Sequence, residues 1–131
     1  IRTEEDYDKA VKEAKKMILY HATNGNKLIL STKKERLVPH SLSCSNKPKY
    51  EYGKNLFKII IKDNAKILVI DVNNNFYDFG KEYDTPVNRG RAIYDYAIKH
   101  KYDIVKLINV PHVGIEYCIL NLNVIEKYEK I

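Results

Sequence analysis

The sequence predicts an α+β domain, on three observations. Helical periodicity is confined to two separate segments, while many short runs rich in isoleucine and valine read as strands. Strand and helix do not alternate regularly, as a doubly wound parallel sheet would require. The 131 residues suit a single core, and no linker divides them, so residues 1–131 are expected to form one domain. Hydrophobic residues make up 44% of the chain and prolines number four, a composition that can support a packed core.

The first element is a helix. Thr3 caps it, acidic residues fill its first turn, and Tyr7, Ala10, Val11 and Ala14 recur at helical spacing toward Met17. A strand from Ile18 to His21 comes next, then a turn at Asn24-Gly25-Asn26 and a second extended piece, Leu28-Ile29-Leu30, ending at Ser31-Thr32. From Lys33 to Tyr50 the chain has charges, two prolines and a serine-rich patch without sustained period, which reads as a loop that covers a site. Leu56 to Lys62 and Ala65 to Val72 read as a hairpin joined at Asp63-Asn64. A polar loop runs on through Pro86. Asn88 is the expected cap of a second helix carrying Ile93, Tyr96, Ala97 and His100, and strands follow at Ile104 to Val110, Glu116 to Leu120 and Val124 to Tyr128.

Several function classes are disfavoured. The longest apolar runs, such as Ile67-Leu68-Val69-Ile70, fall far below the roughly 20 residues that span a bilayer, so no membrane role is expected. Arg2-Thr3-Glu4-Glu5-Asp6 is polar where a secretion signal would be apolar, and the chain opens at Ile1, as a trimmed product or a piece of a longer protein would. Cys44 and Cys118 form no ligand cluster, which reads as reduced thiols, a cytoplasmic setting and no metal. No Walker loop, GxGxxG, HExxH or EF-hand pattern is present. The net charge of +6 favours an anionic partner, either a phosphorylated cofactor or nucleic acid. Lys33-Lys34-Glu35-Arg36 and Arg89-Gly90-Arg91 are the basic runs that would contact pyrophosphate or a polyanion, or else form solvated faces.

The candidate site joins the two ends of the chain. Tyr20-His21-Ala22-Thr23 closes an apolar strand in a polar, small-residue turn, and Glu116 opens the run Glu116-Tyr117-Cys118-Ile119-Leu120. With Tyr52-Gly53-Lys54-Asn55-Leu56 and Ala65-Lys66-Ile67-Leu68-Val69-Ile70-Asp71 between them, this order resembles the ADP-ribosyltransferases of the histidine and glutamate type, over about Leu19 to Ile131. The resemblance implies an ADP-ribosyltransferase-like split β core of short strands with flanking helices, and NAD lying in the cleft between the two parts.

Such enzymes cleave the bond between nicotinamide and its ribose through a cationic ribose, and a carboxylate must stabilise that charge. The resemblance gives Glu116 that catalytic role and has His21 hold a ribose hydroxyl. The Ala22 backbone, standing where relatives carry glycine, would clamp the nicotinamide carboxamide, and the Thr23 hydroxyl would add a cofactor contact. Tyr52, or failing that Tyr50, would stack on nicotinamide, and Ser31-Thr32 matches the serine and threonine step on the second strand of some relatives. The implied protein is a small mono-ADP-ribosyltransferase that uses NAD as substrate and modifies a protein or nucleic acid. It would be a bacterial or phage effector or toxin, acting in the cytoplasm or delivered into a host cell. Two alternatives stand beside it: an NAD glycohydrolase, and a catalytically inactive basic domain that binds nucleic acid or a protein partner.

Overall fold

The computed structural model of the chain describes residues 17–30, 38–49, 53–74 and 86–131, and among them are seven strands, most of them rich in the β-branched and aromatic residues that suit a pleated surface, with one α-helix. They are β1 (Ile18–Thr23), β2 (Leu42–Cys44), β3 (Asn55–Ile61), β4 (Ile67–Asp71), β5 (Ile104–Val110), β6 (Gly114–Ile119) and β7 (Ile125–Lys130), with α1 (Pro86–Lys99) between β4 and β5. One sheet has the order β1-β3-β7 and the other β2-β6-β5-β4. All pairings are antiparallel except β4 with β5, whose parallel register requires the crossover that α1 supplies.

The second sheet is covered on both faces, which explains the near-continuous apolar run of β5. On one face Ile70, Val105, Leu107 and Cys118 pack against Ile93 and Ala97 of α1. On the other, Ile104, Tyr117 and Ile119 meet Leu19, Ile59 and Ile61 of the first sheet. The 3-10 turn Leu122–Val124, with Asn121 accepting from the Asn123 N–H, carries the chain back to the first sheet as β7.

This architecture corrects the expected class. The chain is not an α+β, ADP-ribosyltransferase-like core with flanking helices: the described residues are mostly β, two sheets with a single helix on one of them. Part of the difference lies between residues 33 and 50, read as loop, where Ser41-Leu42-Ser43-Cys44-Ser45 alternates polar and apolar and forms β2. The opening helix expected from Thr3 toward Met17 falls on residues 1–16, outside the described residues.

Three local expectations also change. Leu56 to Lys62 and Ala65 to Val72 do hold strands, but they do not pair: β3 joins β1 and β7, while β4 joins β5. The turn at Asp63-Asn64, closed by the Ala65 N–H on the Lys62 carbonyl at 3.2 Å, hands the chain from one sheet to the other. Leu28 to Leu30 carries no strand. Asn88 lies inside α1, which starts at Pro86, a residue whose fixed φ suits a first helical turn.

Candidate active site

Besides packing face to face, the two sheets are bridged at one edge. The Tyr20 N–H donates to the Ser45 carbonyl at 2.7 Å and the Ser45 N–H donates back to Tyr20 at 2.8 Å, tying the free side of β1 to the end of β2. Backbone hydrogen-bonding groups alternate along a strand, so Ala22, two residues beyond Tyr20, directs its N–H and C=O to the same side. That side is a cleft of about 390 Å³ whose walls include His21, Ala22, Ser43, Lys49, Ile115 and Glu116.

Ser43 is the pivot. It pairs with Cys118 across β2 and β6, and because residues two apart share a face, its side chain stands beside Glu116. The Ser43 hydroxyl donates to Glu116 Oε1 at 2.6 Å, and the Ser43 carbonyl accepts from His21 Nδ1 at 2.6 Å. A carbonyl can only accept, so Nδ1 carries the proton, which fixes the tautomer of the neutral ring. One residue thus orients both the histidine and the carboxylate. Both are half-buried, open to a ligand yet partly shielded from bulk water.

The surrounding residues limit the chemistry. Cys44 lines the same cleft, but burial, and then the charge of Glu116, push its thiol pKa well above the ordinary value, and its Sγ–H is turned toward the Leu42 carbonyl at 3.6 Å. A thiol held protonated is a poor nucleophile, so the polar chemistry of the cleft rests on its other groups, His21, Ser43, Ser45, Lys49 and Glu116 among them. Val113 and Ile115 form an apolar wall at the β5–β6 turn, where His112 and Gly114 take positive φ angles of 65° and 85°. Among the described residues, no group of three or more His, Cys, Asp or Glu is placed to hold a metal ion.

The expected site residues divide into three sets. His21, Ala22 and Glu116 meet in the cleft. Thr23 instead lines a neighbouring hollow of about 350 Å³ with His21, Asn26 and Lys27, and its Oγ1 accepts the Gly25 N–H at 3.2 Å. The hollow is pinned from behind by Asn55, whose amide donates to the Gly25 carbonyl at 2.8 Å, and by Gly53, where a Cβ would lie 2.5 Å from the Thr23 backbone. Ser31, Thr32, Tyr50 and Tyr52 lie outside the described residues. Of the basic runs, residues 33–36 lie outside them as well, no side chain is described for Arg89, and Arg91 is an exposed residue of α1. Ser43 and Lys49 were missed, although the five-residue polar-apolar alternation around Ser43 was a readable strand signal.

No known family model matches the chain, and no curated protein sequence does. Among solved structures, the fold is similar to one described as the crystal structure of an anti-CRISPR protein, with a TM-score of 0.57. The match covers 91% of this chain and 98% of that one at 13% sequence identity, so the shared property is the fold. No helix among the described residues is long and apolar enough to cross a membrane.

Proposed function

We propose that the protein cleaves NAD at the bond between nicotinamide and ribose and transfers ADP-ribose to a macromolecular acceptor. The observation that carries this reading is the convergence of His21 and Glu116, from opposite ends of the chain, on the hydroxyl and carbonyl of Ser43 in one cleft. In the reaction the C–N bond breaks with its electron pair leaving on nicotinamide, and the ribose C1′ becomes positively charged. The acceptor's nucleophile then forms a bond to C1′ and gives up its proton.

Each residue has a part that its position allows. The Glu116 carboxylate, steadied by the Ser43 hydroxyl, stabilises the ribose cation, the kind of preorganised charge that contributes most where water is partly excluded. His21, oriented by the Ser43 carbonyl, packs against the ribose and fixes its pose. The Ala22 backbone, directed into the cleft, pairs with the carboxamide of nicotinamide. If water replaces the acceptor, the same residues give NAD hydrolysis.

A second reading has its own support. The fold likeness to an anti-CRISPR protein, together with the net charge of +6, favours a protein that acts by binding, with a component of a CRISPR system or its nucleic acid as the partner. Incubating the protein with NAD labelled in its adenylate phosphate, alone and with cell lysate, separates the readings. Labelled macromolecule supports transfer and free ADP-ribose supports hydrolysis. Absence of turnover in both mixtures, with nucleic acid or CRISPR components captured instead, rejects catalysis in favour of binding.

A further inference from the structure

The cleft holds one cation among its described lining residues, and it is not in either basic run of the sequence. Lys49 is half-buried, four residues past the bridge between the sheets at Ser45, and shares the cavity wall with Glu116. There Glu116 accepts from the Ser43 hydroxyl at 2.6 Å. Two other lysines are committed elsewhere. Lys66 Nζ donates to the His100 carbonyl at 2.9 Å and lies 4.4 Å from the centre of the Tyr102 ring, and Lys106 stands over Tyr117 at 5.5 Å.

An ammonium in a concave and partly apolar cavity attracts anions more strongly than the same group in open solvent. Lysine presents a compact point charge with three donors, a form suited to phosphate oxygens. Resting on the reading of the cleft as an NAD site, we infer that Lys49 is its specificity residue for phosphate. It contacts the pyrophosphate of the dinucleotide and makes the cleft select NAD over the phosphate-free nucleoside, nicotinamide riboside. Glu116 and Lys49 then divide the substrate between them, the carboxylate serving the cationic ribose and the ammonium serving the anionic bridge.

Calorimetric titration of NAD and of nicotinamide riboside into the wild-type protein, Lys49→Gln and Lys49→Arg tests this. A charge-assisted hydrogen bond of ordinary strength predicts that Lys49→Gln weakens NAD binding by about ten- to a hundredfold. Riboside binding is expected to stay at the wild-type value, Lys49→Arg to retain most of the NAD affinity, and the NAD advantage over riboside to shrink as salt is raised. Equal NAD affinity in wild type and Lys49→Gln overturns the assignment while leaving the NAD site in place. Parallel loss of NAD and riboside binding overturns it too, since it marks a structural effect. A wild-type protein that binds neither ligand overturns the assignment and the NAD reading together.

Discussion

Two corners of the second sheet use the same residue types to opposite ends. At the far corner, where β4 and β5 begin and α1 ends, Asp103 accepts the Lys66 N–H at 2.8 Å and an Asn121 amide hydrogen at 3.0 Å, while Lys66 Nζ caps the His100 carbonyl. Tyr102 N–H closes the helix end on Ala97 at 2.8 Å, with Lys101 in the left-handed conformation that such an end requires. There the acid, the lysine and the backbone satisfy one another. At the cleft corner, the histidine and the glutamate are each held by one atom of Ser43, and both face open space. A closed polar network stabilises a fold, whereas polar groups oriented by the fold but directed at a cavity are available for a ligand.

Substitutions at the two corners should therefore separate activity from stability. The largest expected effect is at Glu116. Replacement by glutamine keeps the shape and removes the charge, so nicotinamide release should fall by about a hundredfold to a thousandfold, equivalent to about 2.7 to 4 kcal/mol, with NAD affinity less affected. Ser43→Ala removes the hydroxyl that steadies Glu116 but keeps the carbonyl that holds His21. Release should drop by about tenfold, the loss of one hydrogen bond to a charged group, and the steady-state rate at saturating NAD is the measurement that checks it.

Effects elsewhere should appear in unfolding curves instead. Gly53→Ala places a methyl group 2.5 Å from the Thr23 backbone, so denaturant melts should show a loss of about 1 to 3 kcal/mol, with disturbance of the hollow beside His21. Asp103→Ala removes the acceptor of the Lys66 N–H and of the Asn121 amide, both within reach of water, for a smaller loss of about 0.5 to 1.5 kcal/mol and unchanged nicotinamide release from the folded fraction. Lys66→Ala is the smallest: its amine is exposed and caps a helix end, so thermal unfolding should register less than about 1 kcal/mol. A loss of turnover at Asp103 matching that at Glu116 would erase the distinction between the corners.

The sequence carried the two ends of the candidate site and hid its centre. His21 and Glu116 were legible because each sits at the edge of an apolar strand, where a polar residue faces a boundary. Ser43 was not, since β2 is only three residues long and its alternation is embedded in prolines and charges. Strand existence was readable from period-two patterning, but strand partners were not. The spacing of Ile59, Ile61 and Ile70 says that each is buried, not that the first two enter the core between the sheets while the third lies under α1. That choice is made by tertiary packing. It turned an apparent hairpin into a crossing between sheets and the α+β expectation into a mostly-β fold.

The central claim is that NAD occupies the cleft between β1, β2 and β6, and amide chemical shifts on titrating NAD into nitrogen-15-labelled protein test it most directly. The account predicts saturable shifts at His21, Ala22, Ser43 and Glu116, with Lys66, Tyr102 and Asp103 unmoved. Shifts confined to the far corner, or none at any residue at millimolar NAD, would contradict it.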